Sequence, residues 1–120
     1  FMFRGCTGLT KLEVDKFNTG RVTNMEYMFR DCENLETLDV SYFNTSRVTN
    51  MGSMFERCFK VEHLAVEYFD TRNVTDMSYM FYHEFFICWM TLELNSTFSN
   101  MHVVREINLH LSTFICHNLT

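Results

Sequence analysis

Several features that define large protein classes are scarce or missing in this chain of 120 residues. It has no proline and only 4 glycines, and it contains no P-loop, no dinucleotide-binding fingerprint and no nucleophile elbow. No apolar run approaches the roughly 20 residues that a membrane-spanning helix needs. The net charge of -5 comes without a basic patch, which disfavours binding driven by nucleic-acid phosphates. We therefore expect a protein that is not an enzyme, needs no cofactor and binds no nucleic acid.

What the sequence does contain is a period of 26 residues, marked by Met2, Met28, Met54 and Met80. Repeat 1 (residues 2–27) and repeat 2 (28–53) agree at 15 of 26 positions, and repeat 2 and repeat 3 (54–79) agree at 12. Self-similarity at a fixed period predicts repeats that stack, so that residues one period apart lie on top of one another. The predicted buried columns are Phe3/Phe29/Phe55, Cys6/Cys32/Cys58, Leu9/Leu35/Val61, Leu12/Leu38/Leu64, Val14/Val40/Val66, Phe17/Phe43/Phe69, Val22/Val48/Val74 and Met25/Met51/Met77.

Each repeat divides into two periodicities. The segment from Leu35 to Val40 ends in apolar–polar alternation and predicts a short strand. Strands that recur at one spacing pair in parallel. The next segment predicts a short helix with Thr49 as its N-cap, because its apolar residues fall on one helix face: Met51, Met54, Phe55 and Cys58. A 3₁₀ turn or a second extended segment is the alternative to this helix.

The regular pattern covers residues 1–80 and weakens over 81–120. Two motif fragments recur out of phase and predict strands at Leu92–Leu94 and Leu109–Leu111. Three interpretations of 81–120 stay open: a terminal cap that closes the stack, repeats that have decayed, or a damaged reading frame. We treat residues 1–80 as three regular repeats and 81–120 as irregular or capping repeats of the same architecture.

Met-Phe, Cys, Phe-Asn-Thr and Val-Thr-Asn-Met recur at fixed offsets in three copies, with Asp in place of Asn in the third. This pattern resembles the 26-residue repeat of bacterial surface proteins, the BspA-like leucine-rich-repeat family. The resemblance implies an α/β repeat fold: a right-handed, leucine-rich-repeat-like solenoid with a short parallel sheet on its concave face and short helices or turns on its convex face. Phe43 stands where similar cysteine-containing repeats carry Asn or Cys, so an aromatic spine would replace their side-chain ladder.

The same resemblance implies a cell-surface or extracellular location, as in bacterial lipoproteins and cell-wall-anchored proteins linked with adhesion. The sequence opens Phe-Met-Phe-Arg, without a basic start or a cleavage site. Location therefore rests on the resemblance alone.

Cysteine and histidine do not follow a metal-site pattern. There are 5 cysteines and no Cys-x-x-Cys pair, so a structural zinc site has no support. The three cysteines of the repeat column are interpreted as small buried thiols. Disulfides between neighbouring repeats are the alternative, although an odd count argues against a full framework. His102, Glu106 and His110 would share a helix face, with Cys88 and Cys116 as further candidates, but no metal is expected because their spacing fits no known motif.

Residues that alternate with the buried Leu and Val are predicted to point to the concave surface, which solenoids use for binding. These candidate ligand-binding residues are Lys11, Glu13, Asp15, Thr37, Asp39, Ser41, Tyr42, His63, Glu67 and Tyr68. The face they form is mildly acidic with Tyr at its rim, which suits a basic protein patch or a cation. We expect a non-enzymatic module that binds a protein or cell-surface ligand without inserting into the membrane. An ordinary solvated face, in a structural stalk that presents another domain, is the alternative.

Overall fold

The computed structural model describes residues 2–61 and 64–82 of the chain. In this part of the protein regular elements are brief, and turns connect them. No helix within the two described ranges is both long enough and apolar enough to cross a membrane. The strands predicted at Leu92–Leu94 and Leu109–Leu111 lie outside the described residues, as does nearly all of the region 81–120.

The strand prediction is confirmed in the first two repeats. Strand β1 is Lys11–Leu12 and strand β2 is Thr37–Leu38. They pair in parallel, with Lys11 opposite Thr37 and Leu12 opposite Leu38. This register sets residues 26 apart side by side, which is the offset that the sequence repeat predicts. In repeat 3 a 3₁₀ helix, η1, covers Val66–Tyr68.

A second set of parallel contacts joins the repeats on another side of the molecule. Isolated parallel bridges connect Asn24 with Asn50 and Asn50 with Asp76. The backbone N–H of Phe29 donates to the carbonyl of Met54 at 2.9 Å, one repeat further along the chain. All three regular repeats are therefore tied together by backbone hydrogen bonds at the same offset.

The short helix predicted over Met51–Cys58 is not formed. The chain makes two consecutive turns instead, closed by hydrogen bonds from Met54 N–H to the Met51 carbonyl and from Cys58 N–H to the Phe55 carbonyl, each 3.2 Å. The N–H of Phe55, which a helix would use internally, donates at 3.0 Å to the carbonyl of Met80 in the neighbouring segment. Hydrogen bonds between repeats thus replace the helical ones.

These turns require a left-handed backbone at their third residue, as type II turns do. In the first of these turns, closed by Cys6 N–H and the Phe3 carbonyl, a glycine supplies it, Gly5 with φ 73. Elsewhere ordinary residues adopt it: Tyr27, Asp31, Ser53, Arg57 and Tyr79, with φ between 53 and 62. A positive φ costs a residue with a Cβ about 1–2 kcal/mol, so the backbone of the turns is held against a local preference by the contacts around it.

A glycine at Ser53 is expected to keep or raise the free energy of unfolding by up to about 1 kcal/mol, because it removes the left-handed penalty while losing some unfolded-state entropy. Valine at the same position is expected to cost about 1–3 kcal/mol, since a β-branched side chain is strongly disfavoured there. Urea unfolding followed by circular dichroism measures both. Equal stability of Ser53→Gly and Ser53→Val would contradict the turn geometry.

The predicted apolar columns are confirmed as the core of repeats 2 and 3. Each of the following side chains is at most 5% exposed: Phe29, Cys32, Leu35, Leu38, Val40, Phe43, Val48, Met51, Phe55, Cys58, Val61, Leu64, Val66, Phe69, Val74 and Met77. In repeat 1 only Val14 and Met25 are as deeply buried, and Phe17 is 38% exposed. Repeats 2 and 3 are therefore packed more completely than repeat 1.

Phenylalanine rings form a continuous stack through the core. The ring centroids of Phe3 and Phe29 are 5.6 Å apart, those of Phe29 and Phe55 5.7 Å, and those of Phe55 and Phe81 5.9 Å, with planes within 11° of parallel. Phe43, at whose position the aromatic spine was predicted from sequence, packs beside this stack at 6.3 Å from Phe29. The rings that stack are therefore those that directly follow the first methionine of each repeat: Phe3, Phe29, Phe55 and Phe81.

A column of buried threonines runs beside the aromatic residues and was not predicted. The hydroxyl of Thr45 donates to the Asp70 carbonyl at 3.2 Å and accepts from the Asp70 N–H at 2.8 Å. Thr19 makes the same pair of bonds with Asn44. Thr19, Thr45 and Thr71 are no more than 5% exposed. The hydroxyls of Thr19 and Thr45 therefore each satisfy a donor and an acceptor of the next repeat at once.

The cysteine column confirms the prediction of buried free thiols in two of its three members. Cys32 and Cys58 are fully buried, and Cys6 is half-buried; all three are free. The thiol of Cys32 donates to the Phe3 carbonyl at 3.0 Å, and that of Cys58 to the Phe29 carbonyl at the same distance. Burial raises the pKa of Cys32 to about 11, so this thiol stays protonated at neutral pH.

Candidate binding groove on the strand face

A groove of about 320 Å³ lies on the face formed by β1 and β2. The residues that line it are Lys11, Leu12, Glu13, Val14, Asp15, Thr37, Asp39 and Tyr42. It thus draws on the strand and following turn of repeat 1 and on the matching segment of repeat 2. Six of the ten candidate residues named from sequence meet here: Lys11, Glu13, Asp15, Thr37, Asp39 and Tyr42.

Two of the other four candidates, Ser41 and Tyr68, do not line this groove. Ser41 is half-buried, and Tyr68 is 66% exposed in repeat 3. Glu67 contributes its backbone to η1, and His63 lies outside the described residues. Alternation predicted an outward side chain at Ser41, but the chain turns at this residue, so the strand periodicity has already ended.

Short strands and tight turns hold the polar groups of the groove in place. The pairing of Lys11 with Thr37 fixes how the two repeats align. One carboxylate oxygen of Asp39 accepts hydrogen bonds from the Ser41 N–H at 2.9 Å and from the Ser41 hydroxyl at 2.6 Å. Such an Asx-turn restricts the carboxylate to one orientation. The carboxylate of Asp39 is therefore held in one orientation at the groove.

The charge of the groove is negative. Among the residues that the structure describes, three carboxylates line it, those of Glu13, Asp15 and Asp39, against one ammonium group, that of Lys11. The Lys11 ammonium lies 3.3 Å from a Glu13 oxygen, in a pair whose side chains are 65% and 74% exposed. An exposed pair of this kind contributes at most about 1 kcal/mol to stability. Glu13 and Asp39 also occupy the same column, so like charges face each other across neighbouring repeats, which is unfavourable for folding.

Charges on the turn side of the molecule are arranged differently, because they pair between repeats. Arg30 lies 3.3 Å from Glu56, and Arg57 lies 3.3 Å from Asp31 and 2.8 Å from Glu33. Arg30 and Glu56 are in one column, and Asp31 and Arg57 are in the next. Sequence reasoning did not find these pairs, although opposite charges 26 residues apart were the signal. They hold neighbouring repeats together.

A half-buried tyrosine, Tyr27, lies beside these charges. The guanidinium groups of Arg4 and Arg30 lie 5.2 Å and 5.4 Å from the ring centroid of Tyr27, within the range of cation–π attraction. A hydrogen bond with Glu26, together with its negative charge, raises the pKa of the Tyr27 phenol. The cations of this surface are thus engaged with partners inside the protein.

In repeat 3, Arg72 binds Asp70 through both carboxylate oxygens, at 3.0 Å and 2.7 Å. These hydrogen bonds hold the pKa of Asp70 below its ordinary value. Asn18 and Asn44 occupy the corresponding positions in the other repeats. Their side-chain oxygens accept the same type of backbone hydrogen bond as Asp70, at 3.1–3.2 Å.

No group of three or more metal-binding side chains occurs within residues 2–61 and 64–82. The histidine and cysteine candidates named from sequence, His102, Glu106, His110, Cys88 and Cys116, lie outside those ranges. The groove contains carboxylates, an ammonium group, a hydroxyl and a phenol. This set suits charge recognition and hydrogen bonding.

Comparison with known protein families matches residues 1–114 to a family described as Mycoplasma protein of unknown function, DUF285. The match includes all three regular repeats and extends over most of the region that follows them. Neither the curated proteins nor the solved structures contain a match to the chain.

Proposed function

We propose, from the premise that this chain belongs to the DUF285 family of Mycoplasma proteins, that it is a non-enzymatic module of a surface-exposed protein. It binds a protein or cell-surface ligand through the strand-face groove, in an adhesion-type role. The observation that carries this proposal is the groove itself, in which side chains of two neighbouring repeats meet around a cavity of about 320 Å³. Concave surfaces built across repeats are the usual binding surfaces of stacked-repeat proteins.

The proposed architecture is a right-handed, leucine-rich-repeat-like solenoid of the BspA-like type, with the short sheet on its concave face and turns on its convex face. Support comes from the parallel register of β1 and β2 and from backbone hydrogen bonds that join all three repeats at one offset. The stack of Phe3, Phe29, Phe55 and Phe81 gives the same offset. Each repeat then adds one further layer to a continuous surface.

The absence of catalysis and the surface location are parts of the same proposal. The sequence contains none of the phosphate-binding or nucleophile motifs considered above. The surface location follows from the resemblance to bacterial surface repeats. Nucleic acid is disfavoured as a partner because the net charge is -5.

A stalk that presents another domain is the second candidate. The observation that favours it is the set of ion pairs between repeats on the turn side, Arg30 with Glu56 and Arg57 with Asp31, which would stiffen an array. A stalk needs no specific ligand on its strand face. The two candidates therefore differ in whether changes to the groove alter any interaction.

The test uses the purified chain on peptide arrays, glycan arrays and fixed epithelial cells, beside two charge-matched variants. Asp39→Lys reverses a charge inside the groove, and Glu36→Lys reverses an exposed charge that does not line it. We expect the Glu36→Lys variant to bind as the natural chain does and Asp39→Lys to lose at least about tenfold in affinity, because a lysine there repels a basic ligand and blocks the cavity. If a ligand binds equally well to both variants, the groove is not its binding site. Absence of binding on all three surfaces favours the stalk.

A further inference from the structure

We infer that the groove takes an extended, cationic segment of a partner protein, with a lysine or arginine side chain seated against Tyr42 and the carboxylates of Asp39 and Asp15. This inference rests on the proposed function and specifies its ligand. Its basis is the charge of the groove, the exposed tyrosines beside it and the size of the cavity.

The groove carries more negative than positive charge. Three carboxylates and one ammonium group line the cavity, whereas the turn-side arginines Arg30 and Arg57 each have a carboxylate from a neighbouring repeat within 3.3 Å. On the turn side, opposite charges of neighbouring repeats form ion pairs. On the strand side, the like charges of Glu13 and Asp39 fall in one column. A cation from outside would relieve the repulsion between Glu13 and Asp39, and this makes a positively charged ligand complementary to the groove.

An exposed aromatic ring lies beside these charges. Tyr42 lines the groove and is 67% exposed, and Tyr68 is 66% exposed at the same position of the next repeat. A tyrosine ring attracts an ammonium or guanidinium group through its face, and rigid exposed tyrosines are common anchors at protein interfaces. With a ring and carboxylates on the same cavity, one basic side chain can contact both.

The size of the cavity and its lysine select among cationic ligands. A volume of about 320 Å³ admits a few side chains of an extended chain and excludes a folded domain. A divalent cation fits less well, since Ca²⁺ takes about 6–8 oxygen ligands. Here one carboxylate, Glu13, is paired with Lys11 and another, Asp39, accepts two hydrogen bonds from Ser41.

Lys11 is expected to weaken the binding of a cationic ligand. Its ammonium group lies in the groove and competes with any cation that enters. Removing that charge through Lys11→Gln is expected to strengthen the binding of a basic peptide about two- to fivefold, the range of one exposed ion pair. Because the Lys11 side chain is 65% exposed, the substitution has little effect on folding, so a gain in affinity reports on the groove itself.

The experiment measures fluorescence anisotropy with two labelled probes, a short peptide that alternates lysine with glycine and its counterpart that alternates glutamate with glycine. We expect the natural chain to bind the lysine peptide, to do so more weakly as salt is added, and to leave the glutamate peptide unbound. Asp39→Asn and Tyr42→Ala should each weaken binding about two- to fivefold, while Tyr42→Phe, which keeps the ring, should retain it.

Asp70→Asn is the matched control. It removes the same charge as Asp39→Asn, away from the groove, and installs the residue that repeats 1 and 2 carry at that position. The inference is overturned if Asp39→Asn and Asp70→Asn bind alike, if the glutamate peptide binds as well as the lysine peptide, or if neither peptide binds. A glycan or acidic ligand that is lost only in Asp39→Lys would overturn this inference and leave the proposed function standing. If the ligands found on the arrays bind the Asp39→Lys variant as tightly as the natural chain, the proposed function is wrong as well.

Discussion

Replacing Phe55 by alanine is expected to lower the free energy of unfolding by about 3–5 kcal/mol. The ring is fully buried, and it stacks between Phe29 at 5.7 Å and Phe81 at 5.9 Å. Neighbours above and below are themselves held by their own repeats, so the space left by the ring cannot collapse easily. Urea unfolding followed by circular dichroism gives the change.

Phe17→Ala is the matched control for this loss. The same side chain is removed, but Phe17 is 38% exposed and contacts the stack only at 5.9 Å from Phe3. Its removal should cost about 1–2 kcal/mol, the part of the burial that is lost. Because total stability of a domain is about 5–15 kcal/mol, Phe55→Leu provides a milder variant if the alanine protein does not fold. Equal losses at Phe55 and Phe17 would contradict the stacked core.

Replacing Thr45 by valine is expected to cost about 2–4 kcal/mol, through polar groups and not through packing volume. The two side chains have nearly the same shape, so no cavity forms. The valine leaves both the N–H and the carbonyl of Asp70 without the hydroxyl that now bonds them at 2.8 Å and 3.2 Å. An unsatisfied buried group costs about 1–3 kcal/mol, and Thr45 is only 2% exposed.

Thr75→Val separates this effect from the general cost of losing a hydroxyl. Thr75 also donates to a neighbouring repeat, to the Thr49 carbonyl at 3.2 Å, but its side chain is exposed. Water can replace the lost bond there, so the expected change is within about 1 kcal/mol. Similar stabilities of Thr45→Val and Thr75→Val in the same urea experiment would show that the threonine column is not a buried network.

Repetition in the sequence made the register and the core predictable. When residues such as Leu12, Leu38 and Leu64 recur at one spacing, a column has to be uniformly apolar, and no knowledge of the backbone is needed to identify it. The parallel pairing of β1 and β2 at that spacing follows from the same fact. Neither depends on the local propensity of any single segment.

Backbone detail was not predictable in the same way. Apolar residues at helical spacing over Met51–Cys58 also fit two tight turns, because both place Met51, Phe55 and Cys58 inward. Glycine is the strongest signal of a positive φ in a sequence and aspartate a weaker one, and of the turn residues with this backbone only Gly5 and Asp31 carry such a signal. The contacts between repeats decide the conformation, and they act beyond the range of local patterns.

The threonine column was missed for a related reason. Thr19, Thr45 and Thr71 lie in a polar stretch of each repeat, where burial is not expected, although their identity in all three repeats was the available signal. For the groove, alternation placed Lys11, Glu13, Thr37 and Asp39 on one face, and these four residues line the same cavity. It failed at Ser41, since each strand has only 2 residues and the chain then turns.

Nuclear Overhauser contacts between phenylalanine rings, recorded on a deuterated chain with protonated phenylalanine, test most directly whether residues one period apart stack. The structure predicts cross-peaks from the Phe29 ring to Phe3 and to Phe55, and from Phe55 to Phe81, at centroid separations of 5.6–5.9 Å. A well-dispersed spectrum that lacks the contact between Phe29 and Phe55 would contradict the stacked arrangement and, with it, a groove shared between neighbouring repeats.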